Sequence, residues 1–252
     1  MKYPGRLIKQ GEKDKAIVKA LQQSLKDLGI DPGAIDGDFG KTTKSAVQYF
    51  QSTNVDENGN PLVADGVVGA ITWQVLFGKK TVPENSKPQG RLMKKAIEVA
   101  RSQIGIMEKP PGSNAGKEVE MYLASTGLGK GYAWCMAFVY YVFNEAAKEL
   151  GISNPLVKTA GCLTQWNKTT CRKIKKAEAV ANPALIVPGS IFIMDFGSGL
   201  GHTGIVVSVS GGFITTIEGN TNNSGSRTGI GVFELSHRKI NSVNKGFIIA
   251  SE

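Results

Sequence analysis

The hydrophobic period of this chain changes once, near residue 184, and that change limits the folds open to it. Before it, apolar residues recur at helical spacings of three and four. After it, residues 191–194, 202–209, 213–218, 231–235 and 247–250 read as short strands. Helices first and strands afterwards predict an α+β domain with a mainly antiparallel sheet.

At 252 residues there is room for a second domain, and the first eighty residues supply one. Residues 16–28 predict an amphipathic helix carrying Ile17, Leu21, Leu25 and Leu28 on one face, stopped by Gly29. The phrase Asp36-Gly37-Asp38-Phe39-Gly40-Lys41-Thr42-Thr43 then leads into a second helix with Ala46, Val47 and Phe50 inward. A similar phrase, Asp65-Gly66-Val67-Val68-Gly69-Ala70-Ile71-Thr72, leads into Trp73, Leu76 and Phe77. This is a short internal repeat: a glycine turn feeding a helix, with a threonine near the helix start where a side-chain cap is useful. Asp36, Asp38 and Asp56-Glu57-Asn58-Gly59 lack the twelve-residue calcium-loop pattern, so turn chemistry is the expected role. The segment reads as a compact all-α three-helix module. Its doubled Asp-Gly-x-x-Gly-x-x-Thr phrase resembles the helical peptidoglycan-binding domain over roughly residues 10–78. That resemblance implies noncatalytic attachment to bacterial wall.

Residues 1–79 are therefore read as one domain, 80–90 as a polar linker with two prolines, and 91–252 as a second domain. The second domain opens with a helix over 91–104, with Leu92, Ala96, Val99, Ala100 and Ile104 inward. A loop at 108–116 and a short helix around Val119, Tyr122 and Leu123 come next. Gly131-Tyr132-Ala133-Trp134-Cys135 then turns into an almost unbroken apolar run ending near Leu150, with Gly151 as a C′ residue. Cys135 thus falls in the first turn of a helix, where unsatisfied N–H groups and the macrodipole favour a thiolate. Packing as a small buried hydrophobe is the competing reading.

A cysteine nucleophile needs a base and a group to orient that base. The chain has two histidines. His237 lies beside Arg238 and Lys239 in what reads as an exposed turn, whereas His202 opens a strand. If Ser210-Gly211-Gly212 forms a three-residue hairpin loop with Gly212 left-handed, Ile205 pairs with Ile217 on an apolar face. On the other face Gly204 lies opposite Glu218, and His202 opposite Asn220. A two-residue loop without a bulge would instead put Glu218 on the apolar face, at the cost of a buried charge. Cys135, then His202, then Glu218 or Asn220 is the papain-like order.

Gly112-Ser113-Asn114-x-Gly116, Trp134-Cys135-x-Ala137-Phe138-Val139, Pro188-Gly189-Ser190-Ile191, Gly201-His202-x-Gly204-Ile205-Val206 and Glu218-Gly219-Asn220 together resemble the CHAP domain, roughly over 91–252. These are papain-like cysteine amidases and peptidases of bacterial wall. The resemblance implies Cys135 as nucleophile, His202 as general base, Glu218 as orienting carboxylate and Asn220 as a further polar member. Residues 124–134 contain no carboxylate, so the calcium loop of some relatives is not expected, and no other metal or cofactor is. Ser190 stands where the family often has Asp. The Cys135 N–H, with Tyr132 as a second donor, is the expected oxyanion hole.

The expectation is a modular hydrolase cutting an amide bond in the peptide moiety of peptidoglycan, as a muramoyl–alanine amidase or an endopeptidase, working as a monomer. The alternatives are a noncatalytic wall-binding adaptor and a cysteine amidase or acyltransferase on a soluble amide. A net charge of +9 and a pI near 9.4 suit an anionic wall. No basic arm or basic-aromatic RNA motif is present, so nucleic acid is not expected. The N-terminus lacks the apolar core of a secretory signal, which fits release by a non-standard route or prior removal of a signal. No apolar run is long enough to span a membrane. Three cysteines do not make a disulfide framework, although Cys162 and Cys171 could pair and leave Cys135 free.

Overall fold

The computed structural model describes residues 1–222 and 229–251. The chain divides into two compact units, Met1–Pro83 with Val180–Pro183, and Glu84–Ala179 with Ala184–Glu252.

The first unit holds three helices, α1 (Lys15–Asp27), α2 (Lys41–Thr53) and α3 (Ala70–Phe77). The Asp14 carboxylate caps α1 by accepting from the Ile17 N–H at 3.2 Å. Val18, Leu21, Leu25, Phe39, Val47, Phe50 and Trp73 close the core. Leu28 departs from the expected face, because α1 ends before it and leaves it 58% exposed.

The repeat is held by a residue that periodicity hides. Gln22 lies buried in α1 and Gln51 in α2. Gln22 Oε1 accepts from the Gly37 N–H at 3.0 Å, and its Nε2 donates to Asp36 Oδ1, the Asp38 carbonyl and Thr43 Oγ1. Gln51 does the same one repeat later, accepting from the Gly66 N–H at 2.8 Å and donating to Asp65 Oδ1, the Val67 carbonyl and Thr72 Oγ1. Asp36 and Asp65 also accept from the N–H two residues on, as aspartates do in turns. The threonines expected as caps therefore anchor a glutamine, and the N-cap positions of α2 and α3 are Gly40 and Gly69, without a side-chain cap. Gly37 (φ 81°) and Gly66 (φ 74°) must be glycine: the backbone is left-handed, and a Cβ would meet the Lys15 and Lys44 side chains at 2.9 and 2.7 Å. Gln51→Leu should cost about 1–3 kcal/mol, because it strands the Gly66 donor and the Thr72 hydroxyl. A urea titration followed by Trp fluorescence would read this; an unchanged midpoint would mean that the turn holds without the glutamine.

Within residues 80–90, Val82 packs in the core of the first unit, and β1 (Glu84–Asn85) pairs with Ser210 and Val209.

In the second unit α4 (Arg91–Ser102) and α5 (Lys117–Ser125) precede α6 (Cys135–Leu150). Next come α7 (Cys162–Lys168), β2 (Arg172–Lys175) and α8 (Lys176–Ala181), followed by β3 (Ile191–Gly197), β4 (Leu200–Ser210), β5 (Phe213–Thr221), β6 (Gly231–Lys239) and β7 (Gly246–Ile249). The sheet runs β2-β7-β3-β4-β5-β6, antiparallel throughout, with β1 added on β4. Leu92, Ala96 and Ala100 of α4 face the core as their spacing predicts, but Ile104 falls beyond the helix end and is 41% exposed. The α6 helix is buried nearly all round, as its unbroken apolar run requires, and Gly151 closes it in the left-handed conformation at φ 67°. Strand β2 escaped the sequence reading because Ile174 is its one buried residue among lysines and an arginine, a composition suited to an edge.

The β4–β5 hairpin reaches the expected register by a different route. Its loop is the two residues Gly211-Gly212, with Ser210 opposite Phe213, and the left-handed residue is Gly211 (φ 56°) rather than Gly212. A bulge between Val206 and Ser208 then absorbs one residue and restores Ile205 opposite Ile217. Burial of the apolar face sets the pairing, and the bulge reconciles it with the shorter turn.

Candidate active site

Three buried side chains meet where the start of α6 faces β4 and β5: Cys135, His202 and Glu218, which are 5%, 2% and 0% exposed. Gly204 makes the meeting possible, since a Cβ there would stand 2.7 Å from Glu218 Cγ and 2.8 Å from the Ile217 carbonyl. His202 Nε2 lies 2.7 Å from Glu218 Oε2. That bond commits one ring nitrogen to the carboxylate. The other, Nδ1, is buried and has no hydrogen-bond partner among the described residues.

The electrostatics follow from these contacts. The Cys135 thiol is held well below its ordinary pKa: the Cys162 thiol hydrogen-bonds its sulfur, and the His202 ring and the Met136 N–H act in the same direction, together outweighing burial. Burial alone would make His202 harder to protonate, but Cys135 and Glu218 prevail and raise it to about 9. Burial likewise opposes ionisation of Glu218, yet His202, Arg238 and Thr216 hold it below the usual carboxylate range. Cys135 shifted down and His202 shifted up both favour a thiolate–imidazolium pair.

Arg238 is the member that sequence reasoning missed. Its Nε and Nη2 donate to Glu218 Oε1 at 2.9 and 2.7 Å, Nη2 also reaches Oε2 at 2.8 Å, and the guanidinium lies over the Phe192 ring. Thr216 Oγ1 adds a donor to Oε1 at 2.6 Å. Residues 237–239, read above as an exposed turn, are instead the end of β6. A bulge opposite Ile214–Thr216, with His237 at φ 59°, breaks the alternation that would have revealed the strand. His237 itself is exposed and packs edge-on against Phe213. Arg238→Met should lower stability by about 3–5 kcal/mol, because it leaves a fully buried carboxylate short of a cation. Equilibrium denaturation would measure the loss; an unchanged midpoint would show that His202 and Thr216 suffice.

Asn220 corrects another expectation. It is left-handed at φ 55°, in a bulge where Glu218 pairs with Phe233 and Thr221 with Gly231. Asn220 Oδ1 accepts from the Trp134 N–H at 3.2 Å, and Nδ2 donates to Glu108 Oε1, Asn114 Oδ1 and the Gly229 carbonyl. Among the described residues none of its hydrogen bonds goes to His202. Buried Glu108, also missed, accepts from Trp134 Nε1 at 2.8 Å and from the Asn114 N–H at 3.1 Å. Asn220, Glu108 and Asn114 thus pin the first residues of α6, and with them the Cys135 backbone N–H, which has no intrahelical acceptor at that position.

Of the remaining expectations, Tyr132 sits 57% exposed on the turn before α6. Buried Ser190 accepts through Oγ from the Val187 N–H at 3.2 Å. Cys162 is not aimed at Cys171: its sulfur is 3.6 Å from that of Cys135, whereas Cys171 Sγ lies 3.7 Å from the Pro155 carbonyl. Among the described residues no group of three or more His, Cys, Asp or Glu could hold a metal ion, and no helix is long and apolar enough to cross a membrane.

The CHAP domain family matches residues 127–220, a span that contains Cys135, His202, Glu218 and Asn220, and the peptidoglycan binding domain family matches residues 14–76. The chain joins a peptidoglycan-binding domain to a CHAP domain. This combination supports a cysteine- and histidine-dependent peptidoglycan hydrolase with its own wall-binding module. No solved structure matches the chain. Within the CHAP match lie the thiol, the ring, the carboxylate and Cys162; Glu108 and Arg238 lie outside it. The matched glutamine-held repeat lies wholly in the binding domain.

Proposed function

We propose that the CHAP domain cleaves an amide bond in the peptide moiety of peptidoglycan, with Cys135 as nucleophile, His202 as proton carrier and Glu218 as the group that orients it. The observation that carries this reading is the 2.7 Å bond from His202 Nε2 to Glu218, which leaves the buried Nδ1 unpaired among the described residues and available to the thiol. The Cys135 thiolate attacks the amide carbonyl. The oxyanion that forms meets the Cys135 N–H at the start of α6, held there by Asn220 through Trp134. The His202 imidazolium protonates the departing amine, and the neutral ring then takes a proton from the water that hydrolyses the thioester. Arg238 and Thr216 keep Glu218 ionised, which fixes the ring tautomer and orientation through both steps. The binding domain raises the local concentration of wall at the CHAP domain without taking part in the chemistry.

The ion pair predicts the pH profile. The folded pKa of His202 is raised, so its proton is held below about 9 and lost as pH rises through that value. The thiol pKa is lowered, so the thiolate forms on the acidic side of the ordinary cysteine range. Initial rates of wall clearing at low substrate should therefore be level through neutral pH and fall near 9. A rate that climbs through about 8.5, as an unassisted thiol ionises, would overturn the ion pair.

A further inference from the structure

Cys162 has no covalent role in the steps above, and its thiol is placed against the nucleophile that it hydrogen-bonds. Its sulfur is 3.6 Å from Cys135 Sγ, and both residues are almost wholly buried, at 6% and 5% exposure. It heads α7 and packs over Gly201, whose missing side chain makes the room: a Cβ there would stand 3.0 Å from Cys162 Cβ. Gly201 immediately precedes His202, so the second thiol sits at the strand that carries the ring. All three cysteines are free.

We propose that Cys135 and Cys162 form a reversible disulfide under hydroperoxide, an oxidative modification that closes the CHAP site with Cys162 as resolving thiol. The inference rests on the reading of Cys135 as an activated nucleophile. The Cys135 thiolate attacks one oxygen of the peroxide; the O–O bond breaks, hydroxide leaves, and Cys135 becomes a sulfenic acid. Cys162 then gives up its proton and attacks the Cys135 sulfur; the S–O bond breaks, and the oxygen leaves as water. The two thiols supply two electrons, and the peroxide takes both. The sulfurs need to close from 3.6 Å to about 2.05 Å. The contact that Cys162 Sγ makes is with Cys135, whereas Cys171 Sγ lies against the Pro155 carbonyl.

The difference in acidity has the right sense. Cys135 is shifted down and attacks the oxidant first, whereas Cys162, shifted up by its hydrogen bond to Cys135 and by burial, is the thiol that resolves.

The test uses the full chain, reduced and then treated with a small excess of hydrogen peroxide. Intact mass should fall by about 2 Da, for two hydrogens lost, and digestion without reductant should yield one peptide pair joining Cys135 to Cys162. Wall clearing should be lost in step and return with dithiothreitol. In Cys162→Ser the same treatment should drive Cys135 on to sulfinic acid, with activity that dithiothreitol does not restore. Cys171→Ser should oxidise and recover like the parent. A Cys162–Cys171 link, or Cys135 overoxidised in the parent while Cys162 stays reduced, would overturn the proposal. The mass readout does not depend on catalysis, so a reduced chain that forms the link but never clears wall would refute the hydrolase reading and leave the thiol pair standing.

Discussion

Cys135→Ala is expected to abolish wall clearing while leaving wall binding intact. The loss should be on the order of 10⁴-fold or more, because the carbon–sulfur bond to the acyl group has no substitute in the site. Glu218, Arg238 and His202 would remain bonded to one another, so the pocket should persist as an inactive copy. Binding is expected from the other unit, which holds the match to peptidoglycan binding domains and has a core of its own with Val18, Leu21, Phe50 and Trp73. Turbidity clearing and co-sedimentation with purified wall read the two properties separately. Clearing that persists in the alanine variant would remove the nucleophile from the account. Loss of binding together with activity would instead point to a folding defect.

His202→Ala should cost about 10²–10⁴-fold in kcat/KM, the range expected when a positioned proton carrier is removed. It should also return Cys135 toward ordinary thiol behaviour, since the ring contributes to its lowered pKa. Alkylation of Cys135 by iodoacetamide near neutral pH should slow accordingly, an effect that a merely structural histidine would not produce. His237→Ala is the control. It is exposed at the end of β6 and packs on Phe213, and its replacement should leave the clearing rate unchanged. An equal fall in both variants would mean that His202 has no special part in the reaction.

Much of the fold was legible because burial and period carry it. The α4 and α6 faces, the Gly151 stop and the helices-then-strands order all follow from which residues must leave water. So did the juxtaposition of His202 and Glu218, because only one register buries Ile205 and Ile217 together. What escaped the sequence lies at bulges and in polar contacts between distant segments. One extra residue at 206–208 let a two-residue turn give the register expected of a three-residue one. Left-handed Asn220 and His237 each reset the alternation of a strand, which sent Asn220 to Trp134 and brought Arg238 onto Glu218. Gln22, Gln51 and Glu108 have ordinary polar identities, and only their three-dimensional partners show that they are buried and fully used. Hydrophobic periodicity cannot report such residues, because their energetics depend on which donors arrive from elsewhere in the chain.

The proposed reaction is the breaking of an amide bond of the wall peptide. Mass spectrometry of purified peptidoglycan digested with the full chain tests it most directly. Fragments should carry one new amine and one new carboxylate at a single type of amide bond, absent from the Cys135→Ala digest, with no new reducing ends on the glycan. New reducing sugars, or product sets identical with and without Cys135, would contradict it.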